Sequence, residues 1–468
     1  MIFDNENWIV GERTKRGLSQ FKLAKILDIP NTKLCSWEKG KSSPSEDEVQ
    51  FIKKKLEGFD RKIDRGAITL RRLYQGRAKQ QQPRYLTPDD WKSISINYPD
   101  SYLVNKSIKK TKSKQKKHTA IALFAGCGGM SLGFKWADFN VVGFVELEES
   151  ARHIYKQNFS DSVELGTDVL KLTDKEILSW KKRFGEIDVL CGGPPCQGFS
   201  LVGKRDENDY RNQLYKEYQR IAELIRPKAF VLENVRLLTS MKDSDGKYVV
   251  EKIVRGFELI GYSVYYGILN AVDYGVPQSR ERVVFIGVDK KLGIHPSLPE
   301  PSHTSPEDAN ALFKGKRRLT FKDACADLKK LEAGKQSKED PLHWTINHPE
   351  HVLEWLRLTP EGKSAHENDD PKMRPPSGYN TTYKRLKWDE PSSTISTNFN
   401  MISGSRNVHP TSTRSLTIRE AMRCQSFPDD FQIIGNWGDA RTAIGNAVPP
   451  LLAESLAAHI KNIILKGQ

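Results

Sequence analysis

Cys196 stands directly behind two prolines in GGPPCQGFS, residues 192–200, with glycines on both sides and the apolar run IDVLC leading in. Proline fixes its own φ, so Pro194 and Pro195 stiffen the chain just ahead of the thiol. An ionised thiol is a strong nucleophile, and a stiff turn at a strand end would aim it. Cys191, inside the apolar run, reads instead as a small buried hydrophobe. The next apolar run, AFVLENV, ends in Glu233 and Asn234, which brings a carboxyl group beside the thiol from a neighbouring strand. Partial desolvation there is expected to raise the Glu233 pKa, so that it serves as an acid or hydrogen-bond donor. YGVPQSRERVVFIG then sets Gln278, Arg280 and Arg282 ahead of another strand, where the guanidinium groups could orient the glutamate or clamp a phosphate. A nucleophile, an acid and two cations are predicted to converge on one crevice, although each alone has an ordinary structural explanation.

A second set of residues points to a nucleoside. In IALFAGCGGMSLGF, Gly126, Gly128, Gly129 and Gly133 would let backbone approach a ligand at the carboxyl end of a strand. Glu146, closing VVGFVE, is placed to accept hydrogen bonds from ribose hydroxyls. The glycines are not spaced G-x-G-x-x-G and no basic residue flanks them, so the expected ligand is an adenosine without a pyrophosphate. Asp168, at the end of ELGTD, would either bond the adenine or cap the following turn.

Such groups need a sheet to hold them. From Thr119 the chain alternates short apolar strands (IALFAG, VVGFVE, IDVLCGG, AFVLENV, VVFIGV) with amphipathic helical stretches, the pattern of an α/β domain on a mostly parallel sheet. After Asp289 the alternation stops for about a hundred residues rich in Pro, Ser, Thr, Lys and His, and helical texture returns at TIREAMRCQSF and PPLLAESLAAHIKNIIL. No internal repeat is present.

The chain has 468 residues, enough for two or three domains, and a net charge of +15. Residues 1–117 hold 27 Lys and Arg against 14 Asp and Glu, and the remainder is nearly balanced, so a polyanion such as nucleic acid would be drawn to the first quarter. No apolar run reaches the roughly 18 residues of a membrane span, and MIFDNENWIV lacks the layout of a secretion signal, which leads us to expect a cytoplasmic protein without membrane contact. Six cysteines without a C-x-x-C pair read as reduced thiols. His343, His348 and His351 are expected on the surface, and no metal site is predicted.

At this point the sequence resembles the bacterial DNA cytosine-5 methyltransferases over residues 119–466. LFAGCGGMSLGF, GGPPCQGFS, LENV, PQSRER, LTIREAMRCQSFPDDF and IGNAVPP look like that family's motifs in order. The resemblance implies a doubly wound, Rossmann-like sheet whose last helix returns from the far end of the chain, with a small DNA-reading domain inserted. It implies that Cys196 adds to carbon 6 of a flipped-out cytosine, that Glu233 holds ring nitrogen 3 and the amine, and that Arg280 and Arg282 support the glutamate and the base. Carbon 5 then takes a methyl group from S-adenosylmethionine. The base must leave its stack, at a few kcal/mol. The matched donor-binding positions are Phe124, Gly126, Gly128, Glu146, Leu147, Asp168, Val169, Pro194, Leu214, Asn446 and Val448, with Phe124 stacking on the adenine. Gln197, Ser200 and Gln278 are read as contacts to the DNA. Cys127 departs from the apolar residue the family often has, with only a packing consequence expected.

The segment GLSQFKLAKILDIPNTKLCSWEKGKSSPS is similar to a phage-repressor helix-turn-helix, with Leu18–Leu27 as first helix and Asn31–Trp37 as reader. Asn31, Thr32, Lys33 and Ser36 are its candidate DNA contacts, and Ile26, Ile29, Leu34 and Trp37 its core. The rival reading is a packing or dimerisation module.

The expected division is a helix-turn-helix domain over 1–80, a basic solvated linker over 81–118, a catalytic domain over 119–288, a target-recognition domain over 289–438 and a return to the catalytic domain over 439–468. Expected partners are double-stranded DNA, S-adenosylmethionine and a cognate restriction enzyme without a stable complex. The protein would be a monomer on DNA or a dimer through its first domain, which could repress its own operon. Two rivals share parts of this pattern: a transfer-RNA cytosine methyltransferase, and a repressor with an inactive enzyme half. Tyr379, Asn380, Thr381, Thr382 and Tyr383 are guesses at contacts to the target sequence.

Overall fold

The computed structural model describes residues 8–15, 23–24, 27–38, 42–56, 86–94, 96–108, 118–195, 214–243, 245–305, 315–376 and 378–466. Two compact units divide the chain, residues 1–82 and 83–468. Among the described residues no helix is long and apolar enough to cross a membrane.

Seven strands form the sheet of the second unit: β1 His118–Leu123, β2 Phe139–Val145, β3 Val163–Gly166, β4 Val189–Gly192, β5 Ala229–Val235, β6 Tyr262–Asn270 and β7 Glu281–Asp289. Their order is β3-β2-β1-β4-β5-β7-β6, with β1 to β5 parallel and β7 antiparallel between β5 and β6. Alternate residues feed two cores. Ala120, Ala122, Cys191 and Val231 face one side with the helices Gly129–Trp136 and Pro450–Lys466, while Ile121, Leu123, Leu190 and Leu232 face the other with Asp174–Phe184, Leu214–Ile225 and Val249–Leu259. Burial on both faces explains why these strands read as continuous apolar runs. The last helix packs on the first, and a Cβ at Gly133 would lie 2.4 Å from the Pro450 carbonyl.

Parallel strands end at one edge, and antiparallel β7 begins there. Register places Val235 opposite Arg282 and Glu233 opposite Val284. Glu233 and Arg282 therefore share an edge by topology.

Two expectations on domain limits need correction. Residues 86–108 are no solvated linker. Leu86 pairs with Gly435, Trp91 Nε1 donates to the Ile433 carbonyl at 2.8 Å, Tyr102 Oη to the Arg423 carbonyl at 2.6 Å, and Lys106 pairs with Glu454. Spaced aromatics rather than a periodic stripe fasten this strap, which is why it lacks a helix or strand signature. The lysine run at 109–117 lies outside the described residues. Likewise the return to the main core begins before 439: Leu416, Ile418, Met422 and Phe427 are buried in the core that packs the sheet. A separate small core, Val352, Leu356, Ala365, Ile402 and Val408, occupies the middle of the predicted recognition domain.

The segment around Ile418–Cys424 buries three arginines. Arg414 holds Glu420 through both Nη atoms at 2.8 Å, Arg419 Nε meets Asp340 at 2.6 Å, and Arg423 grips Asp429 at 2.9 and 3.0 Å beneath the Tyr98 ring. Each charge is compensated, as buried ions require. Nearby, His343 and His348 are buried rather than on the surface, bonded to Thr417 and to the Ser415 amide. His351 is exposed and meets Trp355 edge-on.

In the first unit the helix Asn31–Glu38 buries Leu34 and Trp37 against Ile9, Leu23, Leu27, Ile52 and Leu56, with Ile29 beside them. Ile26 and most of Leu18–Leu27 lie outside the described residues, as does the Asn31 side chain.

Candidate active site

The carboxylate of Glu233 meets Arg282 Nε at 2.8 Å, both side chains about nine-tenths buried. The partly desolvated acid is thus one half of an ion pair. Arg282 also donates from Nη1 to the Glu281 carbonyl. Strand β4 delivers the glycine turn to the same place: a Cβ at Gly193 would come within 2.8 Å of Glu233 Oε2 and 3.1 Å of its carbonyl. Only glycine lets the chain cross the carboxylate so closely. Asn234 Nδ2 then donates to the Pro194 carbonyl at 2.8 Å, and its Oδ1 accepts from the Val235 amide. Asn234 was visible in the sequence as a polar residue ending an apolar strand, but nothing there assigned it this tether.

Cys196, Gln197 and Ser200 lie outside the described residues, immediately after this turn. The remaining thiols offer no rival nucleophile in the second unit. Burial pushes Cys127 up to about 12 and raises Cys191 and Cys325 further. Cys127 packs with its Sγ on the Ala443 carbonyl, and Cys191 is a core residue, both as expected. Arg280 is buried one step behind the ion pair, where Nη1 donates to the Ile395 carbonyl and Nη2 to those of Gly445 and Ala447. Among the described residues its Nε has no partner, and burial lowers its pKa well below the guanidinium norm, helped by neighbouring Arg282.

Gln278 corrects the reading as a DNA contact. It is fully buried, giving Nε2 to the Cys424 carbonyl and Gln425 Oε1 and accepting from the Ile395 amide at Oε1. With every amide atom engaged inside the fold, it presents nothing to a duplex in this structure. In the first unit, Thr32 is exposed, Lys33 pairs with Glu48 at 2.6 Å, and Ser36 shares a hydrogen bond with Ser42. In the middle of the recognition region Tyr379, Asn380 and Thr381 are exposed, whereas Thr382 is buried under them and half-buried Tyr383 meets Trp355 edge-on.

The turn after β1, where β1 and β2 end, is open at Gly126. Phe124, Gly126 and Gly128 all take positive φ, and a Cβ at Gly126 would meet only open space. Glu146 accepts from the Gly126 amide at 2.7 Å and the Glu148 amide at 2.8 Å, while burial raises its pKa against those bonds. Leu147 is 54% exposed, a large apolar surface on the rim. Arg152, the basic side chain here, is engaged by the Glu146 and Leu147 carbonyls and Glu164. Asp168 caps the turn Val169–Lys171 through the Leu170 amide, the simpler of its two expected roles. Val169, Pro194 and Leu214 are buried supports, Asn446 is exposed, and half-exposed Val448 turns its carbonyl toward Gly129. A carboxylate, an apolar rim surface and, among the described residues here, no unpaired cation fit an adenosine carrying no phosphate.

An open sheet of this order, with a glycine-rich turn after its first strand and a buried Glu233–Arg282 pair at the edge where β5 ends, is the fold of a Rossmann-like methyltransferase. The chain belongs to the C-5 cytosine-specific DNA methylase family, whose model matches residues 118–462. It is 40% identical over 347 residues to the type II methyltransferase M1.HphI of Haemophilus parahaemolyticus, covering 73% of this chain and 86% of that protein. With M.DdeI of Desulfomicrobium norvegicum it shares 32% over 378 residues, 73% of this chain and 88% of that one. Among solved structures, a DNA modification methyltransferase encoded within an E. coli prophage superposes with a TM-score of 0.58 at 26% identity, over 75% of this chain and all of that one. The protein is accordingly a DNA cytosine-5 methyltransferase that uses S-adenosylmethionine.

Proposed function

We propose that Cys196 is the nucleophile of this enzyme and that Glu233, Arg282 and Arg280 form the wall against which a flipped-out cytosine is held. The thiolate adds to carbon 6, leaving carbon 5 electron-rich enough to be methylated. Bound S-adenosylmethionine supplies the methyl group. Glu233 bonds ring nitrogen 3 and the exocyclic amine, and Arg282 fixes the carboxylate toward them. Loss of the carbon-5 proton and expulsion of the thiolate free the product. The donor lies along Phe124, Gly126, Gly128, Glu146, Leu147, Asp168, Val169, Pro194, Leu214, Asn446 and Val448, and Gln197 with Ser200 closes over the extruded base. The observation that carries this reading is the contact of Gly193 with Glu233, which sets the proline turn directly over the carboxylate.

In the cell the enzyme protects DNA from a cognate restriction endonuclease with which it forms no stable complex, acting in the cytoplasm as a monomer on its target. Residues within 289–414 read the sequence. Residues 1–82 bind DNA through the helix Asn31–Glu38, with Thr32, Lys33 and Ser36 as contacts, and this unit dimerises to repress the operon. Support comes from the buried Leu34 and Trp37 beneath that helix and from the basic first quarter.

A duplex carrying 5-fluorocytosine at the target tests the chemistry, because the fluorine cannot leave as a proton does. The full chain with methyl donor should form a denaturation-stable adduct, and Cys196→Ser should form none. An adduct with Cys196→Ser, or none with the natural chain, refutes the assignment.

A further inference from the structure

A cavity of about 570 Å³ opens at the seam between the sheet edge and the region after it, lined by Ser279, Lys384, Ser393, Thr394 and Arg406 among others. It adjoins the catalytic edge through short links. The Ser279 amide donates to the Ser392 carbonyl, Thr394 Oγ1 donates to the Ser279 carbonyl, and the next residue, Ile395, receives Arg280.

Five cations and three acids line this cavity. Lys363 pairs with Glu367 at 3.4 Å and Lys387 with Glu390 at 2.5 Å. Glu361 accepts from the Trp388 amide. Arg385 lies beneath, buried, with its guanidinium donating to the carbonyls of Leu356, Thr359, His409 and Ser412 and no carboxylate within bonding distance among the described residues. Lys384 and Arg406 have no ion-pair or hydrogen-bond partner for their charged ends among the described residues, although Lys384 is half-buried. A half-buried ammonium without an ion-pair partner, above a buried guanidinium that Glu332 and Glu361 offset only from a distance, leaves five cations against three acids on this wall and makes an anion site of it.

We infer that the cavity clamps the phosphodiester backbone of the substrate duplex, with Lys384 and Arg406 each neutralising a phosphate near the extruded cytosine. The inference rests on the DNA methylase reading and adds to it the groups that hold the backbone. A strand that delivers a base to Glu233 must run its phosphates along the adjoining seam, and the recognised chemistry is the phosphate oxyanion. Neither residue touches the reacting atoms, so their effect falls on binding rather than on the chemical step.

Full-length K384A/R406A is compared with the natural chain in plasmid methylation and in duplex binding at several salt concentrations. The double variant should raise the KM for DNA about tenfold or more, leave kcat nearly unchanged and flatten the slope of log affinity against log salt by about two. Arg406→Lys should restore most of its share. Unchanged KM and slope in a double variant that melts like the natural chain would overturn the clamp while leaving the enzyme assignment intact. Failure of the natural chain itself to methylate DNA would instead strike the underlying reading. Inorganic phosphate is the second arm, at matched ionic strength. If it raises the melting temperature of the natural chain but not of the double variant while the salt slopes agree, the cavity binds free phosphate and the backbone clamp is wrong.

Discussion

Asn234 reaches across from β5 to hold the Pro194 carbonyl at 2.8 Å. Through that one bond the strand bearing Glu233 also holds the chain at Pro194, two residues before Cys196, which we propose as the nucleophile paired with that acid. A misplacement of about 1 Å in such a pair costs on the order of a hundredfold in rate. Asn234→Ala should therefore lower the single-turnover methylation rate by about ten- to a hundredfold while donor affinity measured by calorimetry stays the same. A rate equal to the natural chain's would mean that the prolines alone hold the turn.

Gly193→Ala puts a methyl group 2.8 Å from the Glu233 carboxylate and 3.1 Å from its carbonyl. Either the carboxylate or the turn must shift, because the strand partners leave no other freedom. Activity should fall about a hundredfold, with a stability loss of about 1–3 kcal/mol, less than a folding failure. Chemical denaturation alongside a methylation assay separates the two effects.

Trp91 is 7% exposed and carries the Nε1 bond to Ile433. If residues 86–108 are part of the enzyme's core rather than a tether, Trp91→Ala should cost about 3–5 kcal/mol, as for other buried aromatics. Urea denaturation followed by intrinsic fluorescence measures this. A change below about 0.5 kcal/mol would match an exposed linker.

His409 sets a pH dependence. Burial holds its imidazole down to about 3 against the ordinary 6.5, with Arg414, Arg385 and His343 reinforcing and Glu420 opposing. Its Nδ1 accepts from the Thr411 and Ser412 amides, so protonation there would break both bonds. The unfolded chain takes up a proton that the folded one refuses. Stability from this group is complete above about 6.5 and is lost as the pH falls toward 3. His409→Asn, which keeps an acceptor for those amides, should flatten the fall in melting temperature across that window. An identical slope in both proteins would place the imidazole elsewhere in its titration.

How much of this was legible beforehand varied with the kind of signal. The strands and the mostly parallel sheet followed from alternating apolar runs, since burial on both faces leaves a strong mark in sequence, whereas the strand order did not. Glu233 was found because its motif ends a strand and Arg282 because its motif opens one, but their 2.8 Å pairing depends on β7 running antiparallel, a matter of topology. Gln278 was misread because a polar residue in a loop motif looks exposed, and only packing against Cys424 and Ile395 reveals the amide as internal bracing. His343 and His348 were misplaced for the same reason. The strap at 86–108 was missed because Trp91, Tyr98 and Tyr102 have no helical or strand period, and their partners are hundreds of positions away.

The Val448 carbonyl lies so near Gly129 that a Cβ there would sit 2.3 Å from it, and Pro450 crowds Gly133 in the same way. The helix Gly129–Trp136 is thus braced by residues from beyond the inserted region. A chain cut before Val448 would keep the seven strands of the sheet and lose the brace under the turn at which we propose the methyl donor binds.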